Sequence, residues 1–170
     1  MKKHLLLLIA LTAALASCGS SNSSSTTTVS SQCSLNNDAE CIGADLSGQD
    51  LSGKTMVGID LRNANLANAT FVGADLTQAN LVGADLTGAD FTGATLVRIS
   101  LSGAKAKSAN FSGTLLTGAD LREADIADAN FSRSYLTDAN FTGALNAPSF
   151  EPALLCKTVM PDGAVEAPSC

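Results

Sequence analysis

The stretch Ala84-Asp85-Leu86-Thr87-Gly88-Ala89-Asp90-Phe91-Thr92-Gly93 is two copies of one five-residue unit: a small residue, a polar residue, a large apolar centre, a second polar residue and a glycine. The unit runs in unbroken register from Ala39 to Gly143, giving 21 consecutive copies. Of these, 19 have Leu, Phe, Ile or Met at the centre, with Cys41 and Ala106 as exceptions, and 15 have Ala two residues earlier. A core residue is thus specified at every fifth position.

A period of five fits neither regular element. On an α-helix successive centres would be rotated by roughly 140° and would leave no apolar face. On a flat strand an odd spacing sends alternate centres to opposite sides. The pattern works if the chain turns a corner in each unit, so that every centre points to a common axis and the neighbouring residues face water. That is a solenoid with backbone pairing between stacked coils. Phenylalanine recurs at the centres Phe71, Phe91, Phe111 and Phe131, a spacing of 20 residues or four units. Four corners make a square coil with a phenylalanine ladder on one inner wall. At about 4.8 Å per coil, the 21 units make about five coils and a rod about 25 Å long.

These units resemble those of the pentapeptide-repeat family. The resemblance implies an all-β fold, a right-handed quadrilateral β-helix, here about five coils capped at both ends. It does not fix an activity. Some members of that family resemble duplex DNA in shape and negative charge and act on DNA gyrase, so acidic DNA mimicry is one alternative to weigh.

The flanks divide the chain further. Lys2 and Lys3, the apolar run Leu5 to Ala14 and Leu15-Ala16-Ser17-Cys18 resemble the signal and lipobox of a bacterial lipoprotein. The resemblance implies a signal peptide at 1–17, cleavage before Cys18, and acyl chains on Cys18 that anchor the protein to a membrane without spanning it. Residues 18–31 then form the lipidated cysteine and a Ser/Thr-rich tether, whose composition buries too little apolar surface to order itself. Gly19 is not the aspartate of an inner-membrane retention signal, so the outer membrane, facing the periplasm or the cell surface, is the expected location. Residues 32–38 are expected to form an N-terminal cap, 39–143 the repeat and 144–170 a C-terminal cap.

Export changes the meaning of the cysteines. Beyond Cys18 there are four, Cys33 and Cys41 before the rod and Cys156 and Cys170 after it, and outside the cytoplasm an even count suggests disulfides. Pairing is expected within each flank, because the rod separates the pairs and a disulfide needs α-carbons within about 7 Å. After Gly143 the repeat is read as ending. Pro161-Asp162-Gly163 is a turn signal between Thr158-Val159-Met160 and Ala164-Val165, so a disulfide-closed hairpin is the expected far cap. Gln49 and Lys54 stand where other units have Ala and suggest a wet or irregular first coil.

Candidate chemistry is sparse. The single histidine, His4, lies in the expected signal, so the mature chain would have no histidine general base, Ser-His-Asp or Cys-His triad, or histidine-ligated metal. There is no phosphate-binding loop motif. No enzyme activity, catalytic residue, cofactor or metal is expected, and nucleic-acid binding is disfavoured by the acidic balance. Loss of Lys2 and Lys3 leaves 8 basic against 16 acidic residues. Asp45, Asp50, Asp60, Asp75, Asp85, Asp90, Asp120 and Asp125 precede core centres and should face outward. With a 20-residue coil, Lys105 falls between Asp85 and Asp125. A solvated, self-bonded surface is the expectation for these residues, with weak calcium binding or cell-wall association as the alternative. The expected function is a rigid scaffold or protein-interaction module with an envelope partner. Candidate interface residues are Leu115 and Tyr135, at equivalent positions one coil apart, with Val57 and Val97 on the same face. The competing expectation is that the C-terminal segment folds over them. Ala106, between Leu86 and Ile126 in the core column, predicts a void or an inward shift of its coil.

Overall fold

The computed structural model describes residues 33–167 and 170. The expected signal, Cys18 and the tether therefore lie outside the described residues. Among the described residues, no helix is long and apolar enough to cross a membrane.

The chain winds into a solenoid with four units per coil. Parallel bridges join each outward residue to the one 20 positions later, from Glu40–Asp60 and Asp45–Asn65 through Asp125–Leu145. Each bridge is flanked by hydrogen bonds in both directions: Asp85 N–H donates to Ala64 O (2.9 Å), and Leu66 N–H donates to Asp85 O (2.7 Å). Small residues and centres both point inward. Ala84, Leu86, Ala89 and Phe91 are fully buried.

Each corner is a four-residue turn. Ala89 N–H donates to Leu86 O (2.9 Å), and the third turn residue, Gly88, has φ of 68°. This is the position where a type II turn needs a left-handed residue. Where glycine is missing the conformation persists, as at Asn68 (φ 58°) and Arg98 (φ 55°). Alanine at the small position brings the corners close to the axis. Where Thr114 and Ser134 replace it, their buried hydroxyls donate to Phe111 O (2.7 Å) and Phe131 O (2.6 Å). Among the described residues no buried side-chain polar atom lacks a partner.

The phenylalanines stack as a ladder. Ring centroids of Phe71, Phe91, Phe111 and Phe131 are separated by 4.7, 5.1 and 5.0 Å, with planes within 8° of parallel. Ala106 is buried, and its coil keeps register, with Lys105 N–H on Ala84 O (2.9 Å) and Ala106 N–H on Asp125 O (2.7 Å). The first coil is likewise regular in backbone: Thr70 N–H reaches Gln49 O and Asp75 N–H reaches Lys54 O, both at 2.9 Å. The irregularity expected there is absent. Gln49 is half-buried and Lys54 exposed at the rod's end.

The ends depart from expectation in one respect. At the N-terminus Cys33 is disulfide-bonded to Cys41 (Cα–Cα 4.9 Å), and Cys33 and Leu35 pack on the core. At the C-terminus the coil does not stop at Gly143. Asn146 stands at the next centre but is exposed, and its side chain donates to Asp125 Oδ1 (3.0 Å). The chain loops out through Ala147-Pro148-Ser149 and returns with Phe150, which packs on Phe131 and Phe141 at 5.4 and 4.8 Å. From there the coil resumes on a 19-residue offset, with bridges Tyr135–Leu154 and Asn140–Val159. One residue has been lost from the period, which hides the continuation. Strand β1 (Thr158–Val159) closes the coil and pairs antiparallel with β2 (Val165–Glu166) across the Pro161-Asp162-Gly163 turn. Cys156 is disulfide-bonded to Cys170 (Cα–Cα 5.0 Å).

Candidate interaction face

The outward aspartates are engaged by the fold itself. All eight named above accept the backbone N–H two residues on, at 2.9–3.2 Å; Asp90 Oδ1, for example, takes the N–H of Thr92 at 2.9 Å and its hydroxyl at 2.6 Å. Asn65, Asn80, Asn110, Asn130 and Asn140 make the same bond with their amide oxygens. These are Asx-type bonds that satisfy the corner amide. Hydrogen bonds from Ser47 and Ser52 hold the Asp45 and Asp50 carboxyls below the usual range, and those from the Arg62 and Arg122 guanidiniums do the same for Asp60 and Asp120. The two ion pairs among the described residues are Arg62–Asp60 and Arg122–Asp120, both 2.7 Å and largely exposed.

Carboxylates are also kept apart. Among bridged pairs only Glu40–Asp60 places two acids on successive coils; elsewhere each Asp is followed by Asn, Thr, Lys or Leu. Lys105 does stand between Asp85 and Asp125 in register, but no ion pair forms there. Among the described residues no cluster of His, Cys, Asp or Glu is arranged to hold a metal ion.

Against that background one face differs. Two faces carry five charged residues each at their outward positions: Asp45, Asp85, Lys105, Lys107 and Asp125 on one, and Glu40, Asp60, Arg62, Asp120 and Arg122 on another. The face holding Thr55, Asp75, Thr95, Leu115, Tyr135 and Leu154 as a bridged row carries no charge at its outward positions beyond Asp75. Its last three members are a continuous apolar column, with Leu115 39%, Tyr135 46% and Leu154 44% exposed. The structure thus brings Leu115 and Tyr135 together. It places Val97 in the adjacent row near Leu115, half-buried, and Val57 apart from them toward the N-terminal end. The C-terminal segment does not cover the column, contrary to one expectation, but lengthens it with Leu154. Leu154 escaped the sequence reading because it lies 19 residues from Tyr135 and not 20.

A concave feature lies at the C-terminal end of the rod. A depression of about 540 Å³ is floored by Phe150, Ala153, Leu155 and Met160, with Glu151, Asp162 and Glu166 on its lining.

A parallel-bridged, four-sided solenoid with an inward centre in every unit defines a β-helical repeat protein. The pentapeptide-repeat profile matches residues 39–78, 71–105 and 107–143 in 8 copies, and the chain belongs to that family. Among solved structures, it is similar to a pentapeptide repeat protein, Rfr23, from the cyanobacterium Cyanothece 51142 (26% identity, 59% of this chain and 85% of that chain, TM-score 0.49). It is also similar to QnrB1, a plasmid-mediated fluoroquinolone resistance protein (18% identity, 71% and 67% covered, TM-score 0.46). A third is a pentapeptide repeat protein of the Arabidopsis thaliana thylakoid lumen (31% identity, 62% and 71% covered, TM-score 0.36). Among curated proteins, no significant match is found.

Proposed function

We propose that this chain is a non-enzymatic scaffold or protein-interaction module of the cell envelope: a right-handed rod of about five repeat coils, held to a membrane by lipid on Cys18. It recognises an envelope protein through the column Leu115, Tyr135 and Leu154. The observation that carries the reading is the convergence of three half-exposed large apolar residues on the face with the fewest charges at its outward positions. Large apolar and aromatic groups in a low-charge setting are the composition of interface centres. Three side chains fall well short of the ~800 Å² per partner that a standard interface buries. The column is therefore the centre of a contact whose rim is the threonine and valine surface beside it. The lipid anchor and an outer-membrane address rest on the lipobox resemblance at Leu15 to Cys18.

Photo-crosslinking in cells from a probe at position 135 tests the reading. One dominant envelope protein should be captured, and capture should vanish in a folded Leu115→Asp variant. Absence of any captured protein, with the chain folded and lipidated, removes this face as an interface.

A further inference from the structure

The far end of the rod is closed on one side only. From Cys41 to Ile126 the N–H of each centre donates to the next coil, and so do Leu136 N–H to Leu154 O (2.9 Å) and Phe141 N–H to Val159 O (2.8 Å), whereas Phe131 N–H, beneath the loop, has no such acceptor among the described residues. On the last coil the hairpin does this for Met160, whose N–H donates to Ala164 O (2.7 Å). Among the described residues the neighbouring sides have no such rung. Among the described residues, nothing accepts from the N–H groups of Phe150 and Leu155, and nothing donates to Ala153 O. Ala153 O and Leu155 N–H flank Leu154, which is bridged to Tyr135, and so form a sheet edge, a template for one more strand, with the Phe150 N–H beside it. Beside that edge lies the depression floored by Phe150, Ala153, Leu155 and Met160, with Phe150 itself 8% exposed. Its lining contains three carboxylates, Glu151, Asp162 and Glu166, and no Lys or Arg.

We propose that this end binds an extended peptide segment of a partner protein, apolar at its centre and basic at its flanks, laid as a further rung over the last coil. The unpaired edge dictates an extended backbone, since strand addition uses main-chain hydrogen bonds for affinity and side-chain pockets for selectivity. The apolar floor takes the inward side chain, in the place a next centre would occupy. The acidic rim selects Lys or Arg and rejects acidic segments by like-charge repulsion. The site is separate from the Leu115, Tyr135 and Leu154 column, so the rod would carry one contact on a face and another at its end.

The probe is a labelled pool of acetylated, amidated pentapeptides Lys-Xaa-Xaa-Xaa-Lys, with Xaa drawn from Val, Ile, Leu and Thr. It is compared with the matching pool carrying Glu at both ends, and binding to the full chain is read by fluorescence anisotropy. The Lys pool should bind at least tenfold more tightly than the Glu pool. The combined substitution Glu151→Gln, Asp162→Asn and Glu166→Gln should erase that preference, a central proline should abolish binding, and Leu115→Asp should leave it unchanged. Hydrogen exchange at Phe150 and Leu155 should slow at least tenfold with the Lys pool bound. No binding at millimolar peptide, equal binding of both pools, or protection of these amides that rises with protein concentration without peptide would each overturn the proposal; the last would assign the edge to a second copy.

Discussion

Replacing Phe111 by alanine isolates what the ladder contributes. Phe111 is fully buried and stacked on both sides, with Phe91 at 5.1 Å and Phe131 at 5.0 Å. Burying and packing a phenylalanine is worth about 3–5 kcal/mol in such substitutions, and each aromatic contact adds about 0.5–1.5 kcal/mol beyond area. The hydrogen-bonded coils above and below limit collapse into the gap, so Phe111→Ala should cost about 4–5 kcal/mol, at the upper end of that range. Phe71 has an aromatic neighbour on one side only, Phe91 at 4.7 Å. Phe71→Ala should therefore cost about 1 kcal/mol less, by one stacking contact. Phe111→Leu keeps most of the apolar volume and should cost about 1–2 kcal/mol. With no tryptophan and one surface tyrosine, fluorescence is blind to this core, and guanidinium unfolding followed by circular dichroism is the assay. In a solenoid each coil contacts its neighbours alone, so a weakened junction should also lower the slope of the transition as the two halves uncouple. A loss below about 1 kcal/mol for Phe111→Ala, or equal losses for Ala and Leu, would refute a ladder that acts through ring packing.

Ala106→Leu should raise the melting temperature if the register-keeping coil around Ala106 encloses a void; a fall would show that neighbouring side chains already fill that volume. Gly93→Ala meets open space and should cost only the left-handed strain of about 1–2 kcal/mol. Gly88→Ala should cost more, since its new methyl would lie 2.6 Å from Asn68 Oδ1, and Asn68→Gly should remove the difference in a double-mutant cycle. Asp45, Asp50, Asp60, Asp85, Asp120 and Asp125 have folded pKa values held below the ordinary carboxylate value. Their contribution is present above the unfolded value of about 4 and is lost as pH falls through the folded values. The melting temperature should be flat from neutral pH to about 5 and fall below about 4; a rise on acidification would mean that repulsion within the net charge of −6 dominates instead.

The repeat was legible in the sequence because the backbone demands the same thing at each position: a small residue at the corner, a large one inside, a left-handed residue before the next turn. Leu115 and Tyr135 could be placed on one face by counting twenty residues. Leu154, Phe150, Leu155 and Met160 could not, because the loop at Asn146 to Ser149 shortens the last coil by one. A trace was present: Phe150, Leu155 and Met160 keep the five-residue spacing, and Ala153 stands two before Leu155. That Lys105 forms no ion pair with Asp85 or Asp125 was not legible, since register sets where a side chain starts and competing hydrogen bonds decide where it goes. Asp85, its neighbour, is bonded to the Thr87 amide at 3.0 Å.

The aspartates also explain why the apolar column calls for a functional account. Their recurrence follows from corner chemistry, because Asp and Asn alike satisfy the amide two residues on, and they are spaced so that acids rarely stack. Two carboxylates about 5 Å apart would repel by about 1 kcal/mol in water and more at partial burial. Leu115, Tyr135 and Leu154 lack the side-chain acceptor at this position, so the amides of Thr117, Thr137 and Cys156 go without that bond. Apolar neighbours on adjacent strands return about 0.2–1 kcal/mol per pair, against about 0.5–1.5 kcal/mol for a hydrogen bond. Leu115→Asn should therefore be neutral or stabilising by up to about 1 kcal/mol, while abolishing capture of the partner from position 135. Thermal unfolding and crosslinking on the same variant decide the matter. A stable protein that has lost its partner identifies the column as a binding surface maintained against the local preference of the fold, whereas destabilisation by more than about 1.5 kcal/mol would make these side chains part of the packing and end the interface reading.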